Sequence, residues 1–186
     1  MSATHWVVIS LGSNIDKELN LPAAVRLLAH SANVVAVSSV YETPAVGTRY
    51  EQSSYFNAAV LVETELSATV LKDELLSDIE RQLARRRTAD KFAPRTIDLD
   101  VTLFDDATFE YTPADGRPRH IPDPDLVRYA HIALPVADLL PDTIHPETGE
   151  SVRSIADRLR VAAGNTIQPR PDIDLWEIVA ADRSTH

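Results

Sequence analysis

The stretch "APRTIDLDVTLF", residues 93–104, places two aspartates inside an apolar run that otherwise has the composition of a β-strand. Side chains alternate along a strand, so Asp98, Asp100 and Thr102 are expected on one face. The opposite face is expected to pack on the core and carries four apolar residues, Ile97, Leu99, Val101 and Leu103. The α-carbons of the two aspartates would lie roughly 6.6 Å apart. Because an unpaired buried carboxylate is costly, we expect a cation to meet this pair.

The elements before this strand predict a mixed α and β fold. Residues 6–11 have the pattern of a first strand, and Pro22 is predicted to open a helix that runs to about His30. The runs "NVVAVSSVYETP" and "SYFNAAVLVET" are predicted to be neighbouring antiparallel strands. Ser67 is the predicted N-cap of a helix to about Arg86, in which Leu or Ile recurs every fourth residue. The order β-α-β-β-α-β is that of a ferredoxin-like sheet, which is an α+β fold.

Beyond the strand with the two aspartates the pattern is less regular. "FEY", residues 109–111, is expected to pair back onto that strand, and the Pro- and Gly-containing residues 112–122 predict no regular structure. A helix is expected from Asp123 to about Ala130. The segment that follows predicts a turn at "HPETGE", a short helix at "SVRSIADRLR" and a last strand at "DLWEIVA".

Length and composition restrict the class of protein. The chain has 186 residues and no evident linker, so residues 1–186 are expected to form one domain, with 136–186 as a C-terminal extension. There is no Cys, which removes disulfides and thiolate metal sites. A formal charge of -10 argues against nucleic acid or anionic lipid as a partner. With no signal peptide pattern and no membrane span, a soluble cytoplasmic protein is expected.

A cluster of cations stands directly before the two aspartates. It comprises Arg85, Arg86, Arg87, Lys91 and Arg95. Carboxylates, water and phosphate oxygens are ligands that Mg²⁺ takes, and arginines stabilise the charge of a transferring phosphoryl group. The pairing therefore suggests a nucleoside triphosphate. No glycine-rich phosphate loop is present, so side-chain arginines would have to hold the phosphates.

Each of these features also has a structural interpretation. A lone D-x-D can be the solvated face of a strand, and Arg85 to Arg87 can simply complement a helix dipole. Glu80 can be an ordinary surface partner of a residue four positions away. The dipole explanation covers Lys91 and Arg95 poorly, because both lie beyond the predicted helix end.

Several motifs in order along the chain resemble one enzyme family. "LGSN", "SSVYETPAVG", "YFNAAV", the basic segment and "APRTIDLDVTLF" together resemble 6-hydroxymethyl-7,8-dihydropterin pyrophosphokinase of folate biosynthesis, from about Val7 to Pro135. The resemblance implies transfer of the terminal diphosphate of ATP to the pterin hydroxymethyl group, with release of AMP. It also implies a ferredoxin-like antiparallel sheet with helices on both faces, a three-layer αβα arrangement. Two Mg²⁺ ions would lie between Asp98, Asp100 and the ATP phosphates.

The resemblance assigns roles to further residues. Arg85 and Arg95 would meet the phosphates as the catalytic arginines. Other residues that would contact ATP are Glu80, Arg87, Lys91 and Val101. Residues that would contact the pterin are Gly12, Thr43, Pro44, Val46, Tyr55, Asn57, Phe92 and His131. Taken alone, Tyr55 is as readily a core aromatic and Asn57 a satisfied strand amide. Loops 43–53 and 84–93 would close over the substrates.

The chain departs from the family pattern in one segment. Where the family commonly has H-P-x-x-x-x-R-x-F, this chain has "DPDLVRYAH", so Asp123, Tyr129 and His131 replace His, Arg and Phe. Asp123 would need a cationic neighbour, for which Arg119, Arg128 and His120 are the candidates. A neutral His131 could still stack on a pterin.

Three functions remain open from the sequence. The first is the folate-pathway pyrophosphokinase, with ATP and the pterin as small-molecule substrates. The second is a related diphosphate or phosphoryl transferase with a different acceptor, motivated by Asp123, Tyr129 and His131. The third is a non-enzymatic RNA-binding module, since ferredoxin-like sheets also serve that purpose. The acidity of the chain and the absence of an aromatic RNA-binding strand weigh against the third. The sequence predicts no oligomeric state.

Overall fold

The structure is a computed structural model that describes residues 3–45, 51–86 and 93–184. The strands are β1 (His5–Ser13), β2 (Asn33–Val37), β3 (Tyr41–Thr43), β4 (Tyr55–Thr64), β5 (Asp98–Phe104), β6 (Phe109–Tyr111), β7 (Arg119–Ile121) and β8 (Gln168–Pro169). The α-helices are α1 (Lys17–Ser31), α2 (Ala68–Val70), α3 (Ser77–Gln82), α4 (Ala130–Leu139), α5 (Val152–Ala163) and α6 (Leu175–Arg183). A π-helical turn, Leu71–Leu76, joins α2 to α3, and 3₁₀ turns lie at Pro124–Val127 and Gly164–Thr166.

The main sheet has six strands in the order β5-β1-β4-β3-β8, with β2 also paired to β4. Every pairing in it is antiparallel. Up to β5, the chain order and this strand order are those of the ferredoxin-like arrangement predicted from the sequence. The run at 33–43 forms two strands rather than one, and both lie beside β4.

Helices cover both faces of the sheet. One core cluster includes Ile9, Phe56 and Leu99 and lies under α1, α2, α3 and α6. A second cluster includes Val8, Ala59 and Leu134 and lies under α4 and α5. The expected three-layer arrangement is confirmed. Within the described residues, no helix is both long and apolar enough to span a membrane.

A β-bulge interrupts the predicted alternation of β5. The register pairs Val8 with Leu103 and Ile9 with Val101, so Thr102 is the extra residue. The prediction that Leu103 lies on the same face as Leu99 was therefore wrong, because the bulge turns Leu103 into the second cluster. Asp98 and Asp100 precede the bulge. Beyond it, Leu103 is the residue on their side of the sheet, and it packs in the cluster under α4 and α5.

The first two helices differ in detail from their predictions. Helix α1 starts at Lys17 and contains Pro22, instead of beginning at that proline. The early start is held by tertiary contacts, since the Lys17 ammonium donates to Glu42 Oε1 at 2.6 Å and to Ser54 Oγ at 2.5 Å. Ser67 caps α2 as predicted, by accepting from Val70 N at 3.3 Å. The helical segment then changes to the π-helical turn, which four-residue spacing could not reveal.

Two expectations for residues 109–130 were wrong. The strand β6 pairs with β7 in a separate two-stranded sheet rather than with β5. Consequently, part of the segment expected to be irregular is the strand Arg119–Ile121. The helix expected from Asp123 is a 3₁₀ turn followed by a new start at Ala130, with Tyr129 in an extended conformation between them.

The segment "DLWEIVA" forms helix α6, not a strand. Leu175 and Val179, four residues apart, are buried in the first core cluster, which is the spacing of a helix face. Asp174 caps the helix, because its Oδ1 accepts from Trp176 N at 2.8 Å and from Glu177 N at 3.3 Å. The cap and the i, i+4 pair outweigh the strand propensity of Trp, Ile and Val.

Asp174→Ala is expected to lower the free energy of unfolding by about 1 kcal/mol, because two backbone N–H groups lose their acceptor. Urea unfolding followed by circular dichroism measures this difference. Asp174→Asn is the matched control and should remain near the wild type, since Asn also caps helices. Equal stability of the Ala variant and the wild type would contradict the capping role.

The C-terminal extension packs back on the sheet in the structure. Helix α5 packs on α4 and helix α6 on α1. Strand β8 pairs with β3, and Arg170 N donates to Val40 O at 2.8 Å. The Arg170 Nη1 atom lies 2.7 Å from Glu42 Oε2, the same carboxylate that receives the Lys17 ammonium. The C-terminal extension thus covers the edge of the sheet at β3.

Candidate functional site

A cavity of about 370 Å³ opens where the sheet face is not covered by helices. It lies beside the first turn of α4, over the ends of β1 and β3 and the starts of β4 and β5. The lining residues predicted from the sequence are Gly12, Thr43, Pro44, Tyr55, Asn57, Arg95, Asp98, Asp100 and His131. Antiparallel pairing explains this convergence, since the end of β1 lies beside the starts of β4 and β5.

The floor of the cavity is built from small residues. Gly12 pairs with Asn57 on one side and with Asp98 on the other, and Ser10 pairs with Asp100. A Cβ atom on Gly12 would meet Asn57 Oδ1 at 3.7 Å, which is an ordinary contact. The fold itself therefore does not require glycine there. The small side chains leave the two carboxylates standing above the sheet with open space beside them.

Two arginines meet Asp98. Arg95 Nη1 lies 2.5 Å from Asp98 Oδ2, and Arg85 Nη2 lies 3.7 Å from Asp98 Oδ1. Burial and the charge of Asp100 raise the pKa of Asp98, while Arg95 acts in the opposite direction. This carboxylate would therefore gain from a further cation. Of the five predicted cations, Arg85 and Arg95 lie beside Asp98, whereas Arg87 and Lys91 lie outside the described residues.

Asp100 is met by a cation that sequence reasoning missed. Lys72 is 1% exposed, and its Nζ lies 3.1 Å from Asp100 Oδ1 and 3.2 Å from Glu80 Oε1. Burial lowers the pKa of Lys72, but Asp100, Glu80 and Asp98 outweigh burial and raise it. The lysine comes from the π-helical turn, so no local pattern in the sequence placed it beside the strand.

Glu80 and Val101 do not line the cavity. Glu80 is 3% exposed, and its Oε1 accepts from Leu99 N at 2.9 Å. The Val101 side chain is 3% exposed and belongs to the first core cluster, on the face opposite the aspartates. Their predicted contacts with ATP stay predictions. The other predicted residues, Val46, Arg87, Lys91 and Phe92, lie outside the described residues, as do parts of both predicted closing loops.

An amide and an aromatic ring stand across the floor from the carboxylates. Asn57 is 6% exposed, and its Nδ2 donates to Thr43 Oγ1 at 2.9 Å. Tyr55 lies on the same face of β4, at the mouth of the cavity. Burial raises the pKa of the Tyr55 hydroxyl, while the nearby Arg95 guanidinium lowers it. The phenol is therefore neutral near pH 7 and lies close to the phosphate-binding arginine of the prediction.

Asn14 was also missed by sequence reasoning, which quoted "LGSN" as a family motif but assigned no role to its asparagine. Its Oδ1 accepts from Arg95 N at 2.7 Å, and Asn14 N donates to Arg95 O at 3.0 Å. Its Nδ2 donates to Gln52 Oε1 at 3.2 Å and to Ser53 O at 3.3 Å. One buried side chain thus fixes the backbone of Arg95 relative to the loop that leads into β4.

Asp123 lines the cavity, and each of its expected cationic partners is paired with another carboxylate, although the charge of Arg119 still lowers the pKa of Asp123. Arg119 pairs with Asp115 at 3.0 Å, His120 with Glu147 at 2.8 Å and Arg128 with Asp125 at 3.7 Å. Burial raises the pKa of Asp123 to about 6, with Asp100 and Asp125 adding to the increase. The side chain accepts from Asp125 N at 2.9 Å, which lowers the pKa and partly offsets burial.

A pH-dependent effect on stability follows from Asp123. Its pKa rises from 3.8 to about 6 on folding, so the folded protein retains a proton that the unfolded chain has released between those pH values. Stability is therefore lost as pH rises through this window. Asp123→Asn removes the loss while an amide oxygen can still cap the turn. At pH 7 the variant is expected to exceed the wild type by about 3 kcal/mol, because each pKa unit corresponds to about 1.36 kcal/mol.

Urea unfolding from pH 3 to pH 8 measures this difference. At pH 3 both side chains are neutral, so the gap between variant and wild type should be smallest there and should grow to pH 7. A gap that is constant over the whole range would contradict a raised Asp123 pKa.

The wall contributed by α4 is aromatic. The rings of Tyr129 and His131 stack with centroids 5.3 Å apart at an angle of 28°. Burial lowers the pKa of His131, while Asp125 raises it by a smaller amount. A neutral, stacked imidazole therefore stands where the sequence resemblance expected Phe, and it presents an aromatic face with polar edges to the cavity.

Comparison with known proteins gives one family. The model of the family described as 7,8-dihydro-6-hydroxymethylpterin-pyrophosphokinase (HPPK) matches residues 8–141. The 2-amino-4-hydroxy-6-hydroxymethyldihydropteridine pyrophosphokinase of Synechocystis sp. is 30% identical over 168 residues, which cover 89% of this chain and 82% of that protein. The protein of the same name from Bacillus subtilis is 38% identical over 134 residues, covering 70% of this chain and 75% of its own.

Solved structures agree at the level of the fold. The wild-type Plasmodium falciparum HPPK-DHPS structure superimposes with a TM-score of 0.71 at 13% identity, covering 91% of this chain and 48% of that one. This chain thus spans about half the length of that solved structure. The family match over residues 8–141 and the two bacterial relatives together place the chain in the 7,8-dihydro-6-hydroxymethylpterin-pyrophosphokinase family.

Proposed function

We infer that the protein transfers the terminal diphosphate of ATP, as one unit, to the hydroxymethyl group of 6-hydroxymethyl-7,8-dihydropterin. The products are AMP and the pterin diphosphate used in folate biosynthesis. One observation carries this inference beyond family membership. A single cavity holds a carboxylate pair with its arginine on one side of Gly12 and an amide with an aromatic ring on the other.

The carboxylate side of the cavity suits Mg²⁺. Asp98 and Asp100 offer hard oxygen donors, and among the described residues no group of three His, Asp or Glu could hold a metal ion. Two carboxylates with phosphate and water completing the shell is a usual way for proteins to bind Mg²⁺. We propose two ions held by this pair and the ATP phosphates. Bound Mg²⁺ supplies positive charge to the diphosphate as it is transferred.

The arginines change partners in this proposal. Without nucleotide, Arg95 and Arg85 neutralise Asp98. Phosphate oxygens compete for the same guanidinium groups, and Asp98 is then released to act as a metal ligand. Arg95 is well placed for this exchange because Asn14 fixes its backbone while its side chain lines the cavity.

The opposite side of the floor provides the pterin site of the proposal. Asn57 Nδ2 donates to Thr43 Oγ1, and this hydrogen bond orients Asn57 Oδ1 beside Gly12. There Oδ1 can accept from the pterin ring. Tyr55 and His131 line the same space and could stack on a pterin there. Strands β4 and β5 flank β1, so Asn57 and Asp98 stand about 10 Å apart across Gly12. A bicyclic ring bound at Asn57 would place its substituent over Gly12, next to the carboxylates.

The test is a product assay with ATP, Mg²⁺ and 6-hydroxymethyl-7,8-dihydropterin, in which chromatography separates AMP, ADP and the pterin diphosphate. AMP that forms in step with pterin diphosphate is the expected result. ADP in place of AMP would refute transfer of a diphosphate. Omission of the pterin controls for hydrolysis of ATP by water.

One observation favours a second candidate function, in which the acceptor is not the pterin. Asp123, Tyr129 and His131, the three residues that depart from the family pattern, all line the cavity. Mg²⁺-dependent ATP binding without AMP formation from the pterin would select this alternative, a related transferase with another acceptor. In either case small molecules are the proposed substrates.

We also propose a cytoplasmic location and no binding of nucleic acid. The charge of -10 supports the second of these.

A further inference from the structure

Strand β5, which carries both aspartates, is an edge strand whose outer side has no neighbouring strand among the described residues. An exposed edge leaves backbone N–H and C=O groups in need of partners. At Leu99, between the two aspartates, side chains provide both. Glu80 Oε1 accepts from Leu99 N at 2.9 Å, and Lys72 Nζ donates to Leu99 O.

The same two side chains are bonded to each other and to Asp100. Lys72 Nζ lies 3.2 Å from Glu80 Oε1 and 3.1 Å from Asp100 Oδ1. The ammonium thus reaches the backbone carbonyl of Leu99 and the neighbouring carboxylate at once. The ion pair of Lys72 with Glu80 therefore provides, at Leu99, the hydrogen bonds that a neighbouring strand would otherwise provide.

Burial distinguishes Lys72 from the arginines at Asp98. The Lys72 side chain is 1% exposed, whereas Arg85 and Arg95 are 12% and 18% exposed. If the Lys72 ammonium left this position, the buried Glu80 carboxylate would lose its cation. An unpaired buried charge of this kind is strongly unfavourable. The arginines can exchange partners at the cavity, but Lys72 is held in place whether or not a nucleotide is bound.

We propose that Lys72 is a positioning residue, which fixes the Asp100 carboxylate and the backbone between Asp98 and Asp100 for binding of divalent metal. The proposal rests on the proposed function, because that function assigns the two aspartates to Mg²⁺. Lys72 contacts one oxygen of Asp100 from the buried side, and the carboxylate meets the cavity from the other side, with 37% of its side chain exposed. Removing the ammonium frees the Asp100 carboxylate to rotate and leaves the buried Glu80 carboxylate without its cation.

The test measures metal binding without turnover. Mn²⁺, which takes similar oxygen ligands, is titrated into the protein with α,β-methylene-ATP, and electron paramagnetic resonance reports free Mn²⁺. The methylene group replaces the bridging oxygen whose bond the reaction breaks. Lys72→Met removes the charge at similar length. Its apparent Kd for Mn²⁺ is expected to rise at least about tenfold, as is usual for loss of a group that orients a metal ligand.

Rescue distinguishes positioning from a general structural role. The chain has no Cys, so Lys72→Cys introduces a single thiol that can be alkylated in the unfolded state before refolding. Bromoethylamine restores an ammonium at nearly the original length, and bromopropane gives a neutral side chain of the same size. We expect the aminoethylated protein to regain Mn²⁺ affinity and the propylated protein to remain weak. Wild-type protein taken through the same cycle is the control.

If Lys72→Met fails to fold, the double variant Lys72→Met/Glu80→Gln removes both buried charges and is measured in its place, with the same tenfold loss expected. Mn²⁺ affinity equal to or tighter than that of the wild type in a folded variant overturns the proposal, as does equal affinity of the two alkylated proteins. Wild-type protein that binds no Mn²⁺ overturns the metal role together with the proposal. Failure of the proposed function has a separate sign, namely wild-type protein that binds Mn²⁺ and the ATP analogue but forms no AMP with the pterin.

Discussion

Asp98→Asn and Asp100→Asn are each expected to lower the rate of AMP formation by roughly 10³-fold, because the charge stabilisation that Mg²⁺ provides is worth several kcal/mol. Both side chains line the cavity, and Asn retains their size without the negative charge. The measurement is kcat for AMP release at saturating ATP and pterin. Turnover near the wild-type rate in both variants would refute the metal role of the pair.

The two variants should differ in stability. Asp100→Asn removes a carboxylate from Lys72, whose side chain is 1% exposed, whereas Asp98→Asn removes one from Arg85 and Arg95, which are 12% and 18% exposed. Loss of a partner costs more for the more deeply buried cation. Thermal unfolding should therefore show the lower Tm for Asp100→Asn. Asp106→Asn, an exposed aspartate beyond the far end of β5, is the matched control and should match the wild type in both assays.

Arg95→Ala is expected to lower kcat by about 10² to 10³-fold, the usual cost of removing one donor aimed at developing negative charge. The same change removes the shorter of the two ion pairs that Asp98 makes within the described residues. Arg95→Lys retains the charge but not the planar fork of donors, so it should recover only part of the rate. Steady-state kinetics with ATP as the varied substrate separates kcat from KM.

The control for Arg95 is Arg81→Ala. Arg81 is 80% exposed and pairs with Asp78 on the helix surface, so its loss should leave kcat unchanged. Wild-type kcat in Arg95→Ala, with the fold intact, would show that the guanidinium serves only to pair with Asp98 and would remove it from the phosphate site.

Local sequence patterns predicted most strands of the main sheet and the start of one helix. Alternation and four-residue spacing found the strands of the ferredoxin-like sheet and the Ser67 helix start, because both periodicities are properties of the element itself. They failed for "DLWEIVA", where the Asp174 cap and burial of Leu175 and Val179 select a helix. They also failed for β6, because its pairing with β7 across the seven residues 112–118 leaves no local signal.

The candidate site divides in the same way. The Asp98–Asp100 pair and its arginines could be predicted, since all of them lie within one short stretch of chain. Lys72 and Asn14 could not, because each acts across a long separation in sequence, on Asp100 and Arg95 respectively. A lysine in an otherwise apolar helix face and an asparagine in a turn have common structural explanations. Only the folded chain shows which backbone each of them holds.

The contact between β8 and β3 determines where the chain can be shortened. The family match ends at residue 141, and Gln168–Pro169 and Arg170 lie beyond it, yet they cover the edge of the strand that ends at Thr43 in the cavity. A fragment that stops at the end of the matched region would bare that edge, and uncovered edges invite pairing between molecules. Such a fragment would tend to aggregate and would lose the support of one wall of its substrate cavity. The end of the family match at residue 141 does not coincide with the end of the sheet, because β8 lies beyond it.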